Sequence, residues 1–145
     1  MSFSNNLENK LLLLIFNNSN IANIGDATGL RGSSTAGVFY LSLHTSSPGE
    51  TGTQSTNETT YGSYARVSVV RSASGWTVTG NSASPTSAID FAECTSSTAT
   101  ITHVGLGTDS TGTGELVLYG SLSPSISVAS GVIPRIKTTS TITLD

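Results

Sequence analysis

The sequence predicts a mainly β fold: an antiparallel jelly-roll-like sandwich or barrel of about seven or eight strands, with one short N-terminal helix. Apolar and polar residues alternate over short runs from residue 38 onward, and clusters of Gly, Ser, Asn, Asp and Pro separate these runs. No helical pattern lies between the runs, which argues against a parallel α/β sheet. A chain of 145 residues is typical of one domain, so we expect a single domain over 1–145, with a helix over 4–17 and a β-sandwich over 38–145.

The N-terminal helix is predicted from about Asn6 to Phe16. Asn5 is the predicted cap and Glu8 follows three residues later, as in a capping box; the turn-forming "NNSN" from Asn17 onward ends the helix. Leucines occupy several faces, and a helix that is apolar on several faces is buried on more than one side. A neighbouring subunit could supply the second covering surface, so we expect interface contacts from Leu11, Leu12, Leu13 and Phe16.

The strands follow an irregular, Gly-rich stretch from Ile21 to Gly37. In "VFYLSLHT" the side chains of Phe39, Leu41 and Leu43 share one face of a strand, as expected for period-two alternation. Further strand-like runs are "YARVSVV", "WTVTG", "AIDFAE", "TATITHVGLG", "ELVLYGSL", "SISVASG" and "TITLD". The segments "SGW", "NSASP", "TDSTGTGE" and "SPS" are predicted turns between them.

A long polar loop, Thr45 to Gly62, separates the first two strands. It holds almost no group that could do chemistry, so we expect a contact or solvent-facing loop built for shape. Arg66 follows it, and its guanidinium offers five donors that stay charged when partly buried. Arg66 could lie on a solvated face or pair with Asp90 or Glu93 between strands or subunits. In the loop and the strand that follows it, the residues that we expect at an interface are Pro48, Tyr61, Tyr64 and Arg66.

The charge content excludes two function classes. Charged residues make up 10% of the chain, the net charge is −3, and the basic residues form no cluster, so we expect no nucleic-acid partner and no polybasic membrane attachment. The run "LLLLIF" is too short to span a membrane and lacks the flanks of a signal peptide. Cys94 has no second Cys to pair with, so we expect a small buried residue in a chain that folds in a reducing cytoplasm.

No motif predicts an enzyme, a metal site or a cofactor. His44 and His103 lie in predicted strands, no Gly-x-Ser-x-Gly turn occurs, and neither His has a partner at metal-ligand spacing. The stretch from Asp109 to Glu115 lacks the alternating acids of a calcium loop, and its glycines suit a hairpin. We therefore predict no catalytic residues, no metal ligands and no cofactor.

An ordered set of short motifs resembles a known family. "SNNLEN" at Ser4 to Asn9 is followed by "LSLHTSSP", "YGSYAR", "ITHVG", a Gly-rich hairpin and "LVLYGSL". In this order the motifs resemble small structural proteins of tailed bacteriophages, described as tail-fibre, minor virion or capsid-associated proteins. The resemblance covers about Ser4 to Asp145 and implies a virion protein that works without catalysis. The stretch before the first strand, Asn23 to Gly37, is longer than the family leads us to expect, and it could be a contact arm or a loop.

Two virion positions remain open. The first is a capsid decoration or cement protein that binds between major capsid proteins as a symmetric oligomer, with a trimer expected from the symmetry of such junctions. The second is a tail-associated fibre, adaptor or host-surface binding module. There the aromatic residues would form a glycan or receptor platform, although core packing is the favoured role for Tyr40, Tyr61, Tyr64, Trp76 and Tyr119. A small hydrolase is the least supported reading, since no catalytic motif appears.

Overall fold

The structure is a computed structural model that describes residues 3–22, 24 and 32–144. The described residues form one helix, α1 (Asn5–Asn17), and nine strands. The mainly β class with a short N-terminal helix is confirmed, but the described strands form no closed barrel. The strands are β1 (Val38–His44), β2 (Val67–Val70), β3 (Trp76–Thr79), β4 (Ser82–Pro85), β5 (Ile89–Asp90), β6 (Ala99–Gly107), β7 (Leu116–Val128), β8 (Arg135–Ile136) and β9 (Ile142–Thr143).

The strands differ from the predicted ones in several places: β8 is not predicted, and β2 and β5 are shorter than the predicted runs. "NSASP", predicted as a turn, contains β4, because Ala83 and Pro85 are buried between the neighbouring strands β3 and β9. "ELVLYGSL" and "SISVASG", predicted as two strands, form the single strand β7 across Pro124. β7 lies at the edge of its sheet, where a proline that lacks the backbone N–H is tolerated.

The chain forms two compact units whose segments alternate along the sequence. Unit 1 comprises Met1–Val38, Val70–Ala88 and Ile136–Asp145, and unit 2 comprises Phe39–Val69 and Ile89–Arg135. No single cut in the chain separates them. The single-domain organisation stays a prediction, and the predicted arm from Asn23 to Gly37 lies largely outside the described residues.

Helix α1 of unit 1 begins one residue earlier than predicted. Ser4, not Asn5, is the N-cap: its backbone is extended, and its Oγ accepts a hydrogen bond from the backbone N–H of Leu7 at 3.4 Å. Glu8 therefore lies one position beyond the place that a capping box requires. At the other end Asn18 adopts the left-handed conformation, with φ 56°, and the Ser19 N–H donates to Leu13 O at 3.0 Å.

One face of α1 packs against the sheet formed by β3, β4 and β9. Leu12 and Phe16 are buried there, and the Phe16 ring meets the Trp76 ring with centroids 4.8 Å apart and planes inclined by 60°. Such tilted aromatic pairs contribute about 0.5–1.5 kcal/mol beyond their buried area. No described helix is long and apolar enough to cross a membrane.

Arg71 binds the C-terminal turn of α1. Its Nε donates to Ile15 O at 2.6 Å and its Nη2 donates to Leu14 O at 3.0 Å. The last carbonyls of a helix have no partner within the helix, and the helix dipole favours a cation at this end. Arg71 follows β2 directly, so this contact fixes the end of α1 against a segment more than fifty residues away along the chain.

Unit 2 is built on the antiparallel sheet β2-β1-β6-β7. Leu41 lies opposite Leu106, and Leu106 lies opposite Leu118, so one face carries the apolar core. Phe39, Leu41 and Leu43 are buried there as predicted, but Ser42 and His44 on the opposite face are also fully buried. Thus β1 is covered on both faces. The predicted hairpin between β6 and β7 is confirmed, with positive φ at Gly112 and Gly114.

We expect Arg71→Met to lower the free energy of unfolding by about 1–2 kcal/mol and so to lower the melting temperature. Met keeps the aliphatic packing but leaves two helix carbonyls without this donor. The matched control is Arg135→Met, which removes an exposed pair with Asp90 and should leave the melting temperature nearly unchanged. Thermal unfolding followed by circular dichroism compares the two. Equal effects of both variants would contradict a special role for Arg71.

Candidate functional site

The candidate site is the loop Thr45–Gly62 together with the face of β1 that it covers. The loop is held by backbone hydrogen bonds at both ends: Thr45 N–H donates to Asn57 O, and Thr59 N–H donates to Leu43 O, each at 2.9 Å. Glu58 also lies in an antiparallel bridge with His44. The loop was predicted to be a contact or solvent-facing loop, and its inner side makes contacts within the chain, because it supplies the second cover of β1.

A buried polar pair lies beneath the loop. Ser42 Oγ is 2.8 Å from His44 Nε2, and His44 Nδ1 is 2.8 Å from the Thr56 carbonyl oxygen. A carbonyl only accepts, so we assign the proton to Nδ1, and the Ser42 hydroxyl then donates to Nε2. Burial lowers the pKa of His44 below its ordinary value, which favours this neutral form.

A glycine makes room for this pair. A Cβ on Gly105 of β6 would lie 2.6 Å from both His44 Nε2 and Ser42 Oγ. Ser42 and His44 are fully buried, and the partner of Nδ1 is a backbone carbonyl rather than a carboxylate. The arrangement holds the loop against the sheet.

Gln54 fixes the tip of the loop to the β6–β7 hairpin. Its side chain is fully buried, its Nε2 donates to Tyr40 O at 3.3 Å, and its Oε1 accepts from Asp109 N–H at 2.9 Å. Its backbone N–H also donates to Thr113 O at 2.9 Å. Gly107 approaches this amide so closely that any Cβ there would overlap it.

Arg66 joins the same loop and hairpin by charge. Its Nε and Nη2 donate to the two carboxylate oxygens of Glu58, each at 2.7 Å. Its Nη1 donates to Asp109 O at 2.9 Å and its Nη2 also donates to Gly112 O at 2.7 Å. The side chains of Arg66 and Glu58 are 3% and 15% exposed, so this bidentate pair is largely shielded from solvent. The hydrogen bond to Glu58 raises the pKa of the Arg66 guanidinium.

Tyr64 completes the cluster. Its hydroxyl donates to Glu58 Oε1 at 2.7 Å and accepts from the Leu43 N–H at 3.0 Å. Burial raises the pKa of this hydroxyl well above its ordinary value, so it stays protonated and can act as the donor.

The predicted solvated face for Arg66 is wrong, because its side chain is 3% exposed, and the alternative of a pair with an acid is right except for the acids named. Glu58 takes the place of Asp90 and Glu93, and Asp90 instead pairs with Arg135 on the surface. Glu58 is only eight residues from Arg66 and is the nearest acid in the sequence. Because charged residues are scarce in this chain, that proximity could have predicted the pair of Arg66 with Glu58. Ser42 carries no comparable signal, because hydroxyl residues are abundant in this chain, and nothing around Gln54 in the sequence marks it as buried.

The predicted interface residues are largely used within their own unit. Leu12, Phe16, Pro48 and Tyr61 are buried, the Arg66 side chain is 3% exposed, and Leu11, Leu13 and Tyr64 are half-buried. Their role in contacts between subunits stays a prediction. Of the predicted aromatic platform, Trp76 lies in unit 1, Tyr61 is buried, and Tyr119 is exposed at 39%. Cys94 is buried, as predicted.

A shallow pocket of about 220 Å³ opens beside the loop in unit 2. Hydroxyl side chains form most of its wall: Thr45, Thr59, Thr60, Ser97 and Thr98, with Glu58 as its charged residue. Tyr61 also contributes, and burial raises the pKa of its hydroxyl to about 12. Within the part of the chain that the structure describes, no three His, Cys, Asp or Glu side chains gather as a metal site would require.

The chain belongs to the family of the podophage GP4 fiber I protein gp80, whose model matches residues 2–144. The resemblance to small structural proteins of phage virions is therefore confirmed. A search of curated proteins gives no match.

We expect Gly105→Ala to destabilise the protein by about 1–3 kcal/mol, because the new methyl group would force Ser42 and His44 apart in a packed interior. Gly120→Ala on the neighbouring strand is the control, since no atom lies within 4 Å of its added Cβ, and its effect should stay within about 0.5 kcal/mol. Urea unfolding measures both. If Gly105→Ala and Gly120→Ala lost comparable free energies of unfolding, the surroundings of Gly105 would not be closely packed.

The buried His44 predicts a pH dependence of stability. Because its pKa is lowered in the folded protein, the unfolded chain binds the proton more tightly, and the stability that His44 contributes is lost as the pH falls below 6.5 and through the lower folded value. His44→Gln removes this titration, so its urea midpoint should fall less than that of the wild type on acidification. Parallel pH profiles for the two proteins would rule out titration of His44 as the cause.

Proposed function

We propose that the chain is a non-enzymatic component of a tail-associated fibre, in which the fixed outer side of the Thr45–Gly62 loop contacts the host surface. The fibre family supports the tail position more than capsid decoration between major capsid proteins. No contact within the described residues favours decoration specifically.

The observation that carries the proposal is the fixation of a hydroxyl-rich loop by buried interactions. Glu58, Tyr64 and Arg66 hold its end, and Gln54 holds its tip. A contact surface loses less entropy on binding when its loops are already ordered, and Ser, Thr and Tyr side chains offer adaptable hydrogen bonds.

The absence of a catalytic role is part of the proposal. The Ser42–His44 pair superficially resembles a nucleophile with its base, but its burial keeps a substrate from the Ser42 hydroxyl, and a carbonyl occupies the place where an orienting carboxylate would lie. This arrangement supports a structural role for the pair.

Self-association is a further part of the proposal. Leu11, Leu13 and other apolar side chains of α1 are only half-buried in the chain alone, which supports a contact with another copy. The copy number, for which the sequence suggested a trimer, stays a prediction.

We expect particles that lack the protein to adsorb poorly to host cells while releasing DNA on heating at the same temperature as wild-type particles. A fibre contributes to host contact, whereas a cement protein stabilises the shell. The measurements are the adsorption rate and the DNA-release temperature, and particles complemented with the wild-type protein from a plasmid are the control. Normal adsorption with early DNA release would overturn the tail position in favour of capsid decoration.

A further inference from the structure

We propose that strand β7 joins two copies of the chain by antiparallel pairing of their sheets, with Tyr119 on the two-fold axis. The inference rests on the self-association proposed above and names one surface for it. β7 lies at the edge of the sheet of unit 2 and, among the described strands, pairs only with β6. Alternate residues of an edge strand direct their backbone N–H and C=O groups away from the sheet, where a further strand can bind them.

The edge lacks the charged side chains that usually keep edge strands apart. β7 is the longest of the described strands, and Leu116–Val128 holds no charged residue. Pro124 and two irregularities in the register with β6 interrupt the strand, but the register is regular from Leu118 to Ser121. This stretch is therefore open to pairing, and the interruptions on either side keep the pairing short.

The apolar face of the sheet continues to this edge and is incompletely covered there. Leu41, Leu106 and Leu118 lie side by side on three neighbouring strands. Leu41 and Leu106 are 2% and 5% exposed, whereas Leu118 at the edge is half-buried. On the opposite face of β7, Tyr119 is 39% exposed. A strand added at this edge covers apolar surface on both faces.

A second copy of β7 fits the edge because the edge is complementary to itself. In antiparallel pairing about Tyr119, the partner's Leu118 lies opposite Gly120, and the symmetry repeats this contact. The space beside Gly120 can receive a side chain, since no atom lies within 4 Å of an added Cβ. The leucine of each copy thus fills the space beside the glycine of the other, and no like charges face each other.

The contact is small, so the pair is weak in solution. A stable interface uses roughly 20–30 residues on each side, far more than the stretch around Tyr119 supplies. We expect a dissociation constant of about 0.1–1 mM for two copies in solution. The pairing becomes complete where other contacts hold two copies together.

The first test is disulfide cross-linking of Tyr119→Cys in the full chain under mild oxidation. Directly opposite residues of antiparallel strands have Cα atoms roughly 4.5–5.5 Å apart, which a disulfide can span. The matched control is Val117→Cys, because Val117 is similarly exposed at 36% but faces Ser121 of the partner subunit rather than its own counterpart. Cys94 is buried and is present in both variants.

We expect Tyr119→Cys to form the covalent dimer at least about tenfold faster than Val117→Cys, because the pairing holds its two sulfur atoms together. Equal rates for the two variants, or no covalent dimer of either, would overturn the pairing about Tyr119.

The second test is Gly120→Val, which places a side chain in the space that the partner's Leu118 would fill. The melting temperature should stay nearly unchanged, because the added atoms meet no neighbour within the chain. Association measured by sedimentation should weaken at least about tenfold. Ser127→Val alters an exposed residue of β7 outside the regular stretch and should leave association unchanged. Association of Gly120→Val as strong as that of the wild type would contradict the contact with Leu118.

The same measurements distinguish failure of this surface from failure of self-association. Wild-type association that persists in Gly120→Val, without preferential cross-linking of Tyr119→Cys, would overturn the β7 pairing and leave self-association through another surface standing. A wild-type protein that stays monomeric at about 1 mM, with no cross-linking, would overturn both. The host contact is decided separately, by the adsorption rate of particles.

Discussion

The bidentate pair of Arg66 and Glu58 is the interaction on which the architecture of unit 2 depends. The guanidinium makes two hydrogen bonds to the carboxylate and one to each of two carbonyls in the β6–β7 hairpin. A charge this deeply shielded is strongly unfavourable if one partner is removed, typically by about 3–5 kcal/mol. One guanidinium thus binds the loop and the hairpin at the same time, and moving the two apart would remove its acceptors on one side or the other.

Neutral polar groups extend the fixation that this charge pair begins. Gln54 reaches both β1 and the hairpin. His44, which accepts a hydrogen bond from the Ser42 hydroxyl, donates to the Thr56 carbonyl of the loop from below. Each of these hydrogen bonds contributes only about 1 kcal/mol to the stability. Because the bonded groups are buried, removing one partner would leave the other without a hydrogen bond and away from water, which costs more than the bond contributes. Gly105 and Gly107 allow the close approach, and this explains why the sheet needs glycines at positions where a strand usually prefers larger residues.

The sequence was most informative where periodicity decides the structure. The helix, the apolar face of β1 and the β6–β7 hairpin follow from spacing and turn residues, and they form within about one or two residues of the predicted positions. Spacing could not reveal which acid meets Arg66, because that depends on how the loop folds back over β1. Nor could it reveal β4, whose residues have turn propensity but pair between two other strands. The burial of Ser42, His44 and Gln54 was hidden for the same reason: a polar residue gives the same signal on a solvated face as beneath a polar loop.

The way in which charge is used also bears on how such a protein can bind. With only 10% charged residues, and with Arg66, Arg71 and Arg135 engaged in contacts within the fold, little charge is left to steer a partner from a distance. Contacts through hydroxyl groups act only at short range, depend little on ionic strength and are weak one at a time. A surface of this kind becomes effective when several copies bind together, because each further contact is then made at high effective concentration.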